Sequence, residues 1–384
     1  MQITSACSHE NQVAEQPQVR PSPVPSRQPE KIDGDLQRTL EGIAQAARGK
    51  VGVGAVLLET GDSAYLERSG HFAMQSVYKL PIAMAVGQQI DKGSVRVDSD
   101  ITITPADYVR RGFHSPIRNL NPRGTVMRLD DVIRYSISES DGSANDVLLN
   151  LAGGPSNVQV YLSSIGIGDM MVSDSTKEIS RDWDTQYKNW ASPEASVNLL
   201  KALIDRQAGL SERTTTLIFD SLLESDTGRH RIRRGLPEGA TLAHKTGTGG
   251  HPSEVPGYRP PTNANVASAA SDKTVASQRR GKNSAAMSDQ GSNNVRQVSK
   301  GRRSSSKEID SEEGDTKTNE VTSATNDIGI INLPDGRHII LAVYVQDSVA
   351  DGPTREKVIA DIARAVCARW TTGQLLEISQ NNFR

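Results

Sequence analysis

The sequence predicts an α/β (α+β) protein whose sheet takes strands from both ends of the chain, with a helical block between them. Three stretches carry this. VGVGAVLLET (51–60) is a buried strand-like run that ends in a turn. NDIGIINLPDGRHIILAVYVQD (326–347) is a hairpin pattern folded about Pro334-Asp335-Gly336. From residue 76 to about 235 the text is mostly helical punctuation and spacing.

Taken in order, Leu36, Leu40, Ile43 and Ala47 fall on one helical face, with Gly49 expected as the stop. SAYLERSG (63–70) is the expected hairpin partner of the first strand, across the turn ETGDS. A long polar connection runs over about 173–192, and ATLAHKTGTG (240–249) reads as a strand. In PTREKVIADIARAVCARW, the residues Val358, Ile359, Ile362, Ala363, Val366 and Trp370 recur at helical spacing. Cys367 is therefore expected in the core of a C-terminal helix.

Residues 251–323 are rich in Ser, Asn, Ala and charge and poor in apolar side chains, as expected of a disordered insertion between two strands. Closing so long a loop costs little more than closing a moderate one, because the entropy grows logarithmically. Residues 1–32 read as a disordered tether. The expected organisation is one catalytic domain over 33–384, carrying that insertion.

The chain has 384 residues, formal charge −2 and 4% aromatic residues. Its pI near 6.4 argues against bulk nucleic-acid or membrane-surface binding. Arg279, Arg280, Arg302 and Arg303 in the insertion are offset by nearby acidic residues. A mean hydropathy of −0.49 is polar for a fully folded chain. The two cysteines, Cys7 and Cys367, are far apart and imply no disulfide framework, and no Cys/His cluster has metal-ligand spacing. No apolar leader segment is visible, yet Thr4-Ser5-Ala6-Cys7 resembles the end of a bacterial lipoprotein signal. That likeness makes Cys7 a candidate for lipidation, with a meaningless short tail as the alternative.

Ser76 and Lys79, in SVYKL, open an apolar helix and share one of its faces. A lysine amine one turn from a serine can accept its proton, and the amides of a helix start favour negative charge. Alone the pair is weak, since composition gives roughly one or two Ser-x-x-Lys matches in such a chain. Another occurs at Ser304 and Lys307. But Ser140-Asp141-Gly142 follows YSISE, and HKTGTGG begins at His244.

Ser-x-x-Lys, Ser-Asp-x and Lys-Thr-Gly in this order, with the connecting text RSGHFAMQSVYKLPIAM, RGFHSPIRNL, LDDVIRYSISESD, QYKNWASP and TNDIGIINLPDGR, resemble class A serine β-lactamases. The resemblance runs from about residue 35 to 375 outside the insertion. It implies a β-lactamase/transpeptidase-like fold: an antiparallel sheet flanked by helices, plus a helical subdomain. It also implies an enzyme with no metal, cofactor or nucleic-acid partner, acting as a monomer on a β-lactam or peptidoglycan-like substrate in the periplasm or outside the cell.

The implied roles follow position by position. Ser76 attacks the lactam carbonyl, and Lys79 accepts or supports the proton. Ser140 relays a proton to the leaving nitrogen. Lys245, Thr246, Gly247 and Thr248 hold the substrate carboxylate from an edge strand, and the amides of Ser76 and Thr248 form the oxyanion hole. Arg231 stands where some members keep an arginine for that carboxylate; the alternative is a solvated cation in RHRIRRG.

Two positions depart from the family. Gly142 replaces the usual Asn, removing an amide expected to hold the substrate's acylamino group. In the polar loop the text most resembles a subgroup with Thr-Glu-x-x-Met before Gln-Tyr-x-Asn-Trp and with Asp at the position of Asp146. Aligning QYKNW puts Ser175 on the Thr, Ile179 on the Met and Thr176 on the general-base glutamate. Glu178, two residues late, takes that role only if the loop slips. Two readings follow: a β-lactam hydrolase, or a penicillin-binding protein that acylates and stalls. A D-Ala-D-Ala peptidase is a more distant third.

Overall fold

A computed structural model describes residues 29–254 and 320–381, with side chains to residue 371. Its main sheet has six strands in the order Lys31–Ile32, Asp62–Leu66, Lys50–Leu57, His338–Ser348, Thr322–Asn332 and Thr241–Thr248. All neighbours pair antiparallel except the short first strand, which runs parallel to Asp62–Leu66.

The period-2 pattern divides the sheet between two cores. Val53, Ala55, Leu57, Ile339, Leu341, Val343 and Val345 face one core, with the helix Gly34–Ala44 and the C-terminal helix Gly352–Asn381. Cys367 lies in this core, as its helical spacing predicts. Ile328, Ile330, Ile340 and Tyr344 face the other, against the helices Lys79–Asp91, Leu129–Ile137, Gly142–Leu151 and Pro193–Ile204. The helical block is thus a second lobe packed on one face of the sheet. The segments carrying Ser76, Ser140 and Lys245 lie where lobe and sheet meet.

Three boundaries differ from the sequence expectation. Lys31 and Ile32 pair with Asp62 and Ser63, and Glu30 accepts a hydrogen bond from the Tyr65 hydroxyl at 2.7 Å, so the folded chain begins inside the expected tether. Backbone pairing and a side-chain hydrogen bond need no apolar pattern, which is why composition misses them. The strand expected from residue 326 begins at Thr322: buried Thr322 and Ser323 continue the ladder beside Ser348. At the other edge His251 is buried and Pro252–Glu254 forms a 3-10 turn. The expected insertion therefore loses residues at both ends, and 255–319 lie outside the described residues, as does Cys7. The first helix stops at Arg48, in the left-handed region with φ 47°, rather than at Gly49.

Among the described residues no helix is long and apolar enough to cross a membrane, and no His/Cys/Asp/Glu group could hold a metal ion.

Candidate active site

Ser76 lies on the 3-10 turn Gln75–Tyr78, which runs directly into the helix Lys79–Asp91. The Lys79 amide donates to the Ser76 carbonyl, so the two side chains sit one turn apart on one face. The turn is held from several directions. The Asn326 side-chain amide donates to Ala73 O at 2.8 Å and to Met74 O at 3.1 Å. Met74 N donates to Asn189 O, and the Gln75 amide donates to Gln186 Oε1 at 2.8 Å. Gln75 itself has φ 47°. A non-glycine residue in that region costs on the order of 1–3 kcal/mol, and it persists only where the surroundings fix it.

Ser140 has φ 56° and stands just before the helix Gly142–Leu151, whose N-cap, Asp141, accepts from Ala144 N at 2.9 Å. That conformation delivers the Ser140 hydroxyl to two buried amines. Lys79 Nζ lies 3.2 Å from Ser140 Oγ and also donates to the Ser140 carbonyl. Lys245 Nζ, from the edge strand, lies 2.9 Å from the same Oγ and donates to Thr246 O. Burial pushes the Lys79 amine down to about 8, against the opposing pull of Asp141 and Asp146. Burial, then the charge of Lys79, hold Lys245 well below the usual lysine range. Three side chains from three separate motifs therefore converge within hydrogen-bond reach.

The edge strand must pass close to the turn carrying Ser76. A Cβ at Gly247 would lie 2.4 Å from Met74 O, so only glycine fits there. Arg231 is only 4% exposed and is no solvated cation. Its guanidinium donates to Thr248 Oγ1 at 2.8 Å and to Gly247 O and Asn326 O, and its Nε to Glu356. Thr246 Oγ1 shares a 2.7 Å hydrogen bond with Thr227. Lys245, Thr246, Thr248 and Arg231 thus form one cationic, hydroxyl-lined strip beside Ser140.

The loop of 173–192 is tied to this centre by Asn189, which the sequence reading did not single out, and by Asp146, which it did. Asn189 Oδ1 accepts from Ser173 N and Asp174 N, and its amide donates to Asp174 O. Asp146 accepts from Thr176 N at 2.7 Å and from Lys177 N at 3.0 Å. Its burial raises its pKa. Thr176 is buried, and its Oγ1 shares a 2.7 Å hydrogen bond with the Tyr78 hydroxyl, two residues after Ser76. A Cβ at Gly142 would lie 3.0 Å from Thr176 Cγ2 and 3.2 Å from Val109 Cγ1. The two departures from the family pattern are therefore in contact, and the threonine methyl fills the space where a side chain at 142 would begin.

Glu178 is half-buried and closes a capping box. Ser175 N donates to its carboxylate at 2.8 Å, while Ser175 Oγ accepts from Glu178 N. The Ser175 amide holds the Glu178 pKa below the usual carboxylate value. Ser175-x-x-Glu178 is the spacing of such a cap, a signal legible in the sequence. Replacing Glu178 with Ala is expected to cost about 1 kcal/mol in thermal unfolding. Gln keeps an acceptor at that position and is expected to cost less. Equal losses in the two variants would refute the cap as the side chain's structural role.

The chain matches the family model described as "Beta-lactamase enzyme family" over residues 35–259 and 284–370. It is 29% identical to Beta-lactamase VEB-1 of Pseudomonas aeruginosa, over 86% of this chain and 88% of that one. It is 26% identical to the extended-spectrum β-lactamase PER-1 of the same organism, over 86% and 85%. Among solved structures, a β-lactamase from Chitinophaga pinensis is similar with TM-score 0.68 and 30% identity, covering 88% of this chain and all of that one. TLA-1 extended-spectrum β-lactamase gives TM-score 0.68 at 25% identity, over 88% and 98%. With its three motifs gathered on one hydroxyl and the family model matching most of its length, the chain belongs to the beta-lactamase enzyme family, in the class A serine group.

Proposed function

We propose that this chain hydrolyses β-lactams through an acyl-enzyme on Ser76. The observation that carries this reading is the Ser140 hydroxyl held between the Lys79 and Lys245 amines, beside the turn that bears Ser76. Ser76 Oγ attacks the lactam carbonyl while Lys79 takes its proton. Ser140 passes a proton to the departing nitrogen. Lys245, Thr246, Gly247 and Thr248 hold the substrate carboxylate with Arg231 behind them, and the amides of Ser76 and Thr248 receive the oxyanion. Gly142 offers no side-chain amide to the acylamino group, so recognition of that part of the substrate is weaker or differently arranged.

That the chain acts as a monomer belongs to the same reading and rests on the family resemblance. Its place of action is outside the inner membrane, where antibiotics and cell-wall precursors meet, with Cys7 as the residue a lipid anchor would use. The test mixes purified protein with a chromogenic cephalosporin and follows turnover together with intact mass. Steady hydrolysis through a transient adduct on Ser76 is expected. A stoichiometric burst with a permanent adduct would refute turnover, and the absence of both would refute the assignment.

A further inference from the structure

An acyl-enzyme on Ser76 needs a group to take a proton from the water that cleaves it. The carboxylates that bear on the centre are already engaged. Asp141 accepts from Ser115 Oγ, Ile117 N and Ala144 N. Asp146 accepts from two backbone amides of the loop, and Glu178 caps its own helical turn. The position that the register assigns to a base carries the Thr176 hydroxyl, which is paired with Tyr78. The Lys79 amine, by contrast, sits one turn from Ser76, and among the described residues its hydrogen bonds run to Ser140 alone.

We propose that Lys79 is the proton acceptor for deacylation as well as acylation, so that one amine serves both halves of the reaction. The inference rests on the acyl-enzyme reading above. In acylation the Ser76 proton passes through Lys79 and Ser140 to the lactam nitrogen, which leaves Lys79 neutral. A water oxygen then attacks the acyl carbon while one of its protons moves to the Lys79 nitrogen. The tetrahedral intermediate collapses, the bond from carbon to Ser76 Oγ breaks, and that oxygen takes the proton back from Lys79. One water is consumed, the acid is released, and both residues return to their starting states.

The groups facing Lys79 set its titration. Asp141 and Asp146 stabilise its charge from the helix Gly142–Leu151 and its cap. Lys245 opposes it from the edge strand, and His114 interacts from the loop preceding the helix Pro116–Leu120. Burial outweighs the carboxylates and brings the amine to about 8. An acceptor must be neutral, so deacylation speeds up as pH rises through that value and levels off above it.

The experiment follows decay of the mass adduct on Ser76, formed with a slowly turned-over β-lactam, in the native protein and in Glu178→Gln. Over about pH 5.5 to 9.5, the rate is expected to climb about tenfold per unit and then flatten near 8, with the two profiles superimposed. Lys79→Arg, which stays charged, is expected to prolong whatever adduct it forms by at least about tenfold. A profile set by an acidic group near pH 5 and lost in Glu178→Gln would overturn the proposal and make Glu178 the base. A flat profile would overturn it as well. If no adduct forms on Ser76 at any pH, the acyl-enzyme reading itself fails, an outcome distinct from either of these.

Discussion

Ser76→Ala is expected to abolish both the mass adduct and turnover, lowering kcat on the order of 10⁴- to 10⁶-fold, since a covalent nucleophile has no substitute in its own site. The same substitution should leave folding almost untouched, within about 0.5 kcal/mol. The reason is visible in the turn. Ser76 is half-buried, no hydrogen bond from its hydroxyl is recorded among the described residues, and the turn is held by Asn326, Asn189 and Gln186. Thermal melting and intact-mass kinetics on one preparation separate the two effects. An inactive Ser76→Ala protein with an unchanged melt is the expected result, and residual covalent labelling at another serine would refute Ser76 as nucleophile.

The contrast between Ser76 and its neighbours shows which parts of the site a sequence can disclose. Ser76, Lys79, Ser140 and Lys245 are legible because the chemistry constrains type and spacing within each motif, and the order of the motifs is itself information. Their convergence is another matter. Lys79 and Ser140 are 61 residues apart and Lys245 a further 105, so only the packing of lobe on sheet brings them to one hydroxyl. Arg231 illustrates the opposite failure. In RHRIRRG it looks like any exposed cation, and the carbonyls of Gly247 and Asn326 that bury it arrive from distant strands. Asn326 and Asp327 look like ordinary strand residues. Yet Asn326 pins the turn before Ser76, while Asp327 binds His244 at 2.8 Å and Ile232 N at 3.2 Å. Glu178 is the reverse case: its capping-box spacing with Ser175 is readable in the sequence, and the structure shows that cap formed.

Thr176 links this lesson to the loop. Counting back from QYKNW places it where the family keeps a base, and it is buried against Tyr78 and Gly142. A carboxylate placed here would need desolvation beside Asp146, at a cost that a neutral hydroxyl avoids. The Gly142 and Thr176 departures therefore make physical sense as a pair: the methyl of one occupies the space the other leaves. Restoring Asn at 142 alone would drive its Cβ toward Thr176 Cγ2, so the change calls for a shift in the loop.

Asp146→Ala is expected to release that loop. The carboxylate holds the first two amides of the turn Thr176–Ile179, and its Oδ1 also accepts from the Asn145 amide at 3.3 Å. Alanine leaves buried N–H donors without a partner, each costing about 1–3 kcal/mol unless water enters. A total loss of about 2–4 kcal/mol is therefore expected, allowing for partial relaxation of the loop. Asp146→Asn retains one oxygen and should fall between native and alanine. The functional effect should exceed the thermodynamic one. Freeing Thr176 loosens its bond to the Tyr78 hydroxyl, which lies between Ser76 and Lys79 in sequence, and a displacement of about 1 Å near a reacting centre can cost about 10²-fold in rate. Deacylation should therefore slow in Asp146→Ala at temperatures where the protein is still fully folded. A variant that melts earlier but turns over at the native rate would show that the Asp146 anchor stabilises the loop without positioning the site.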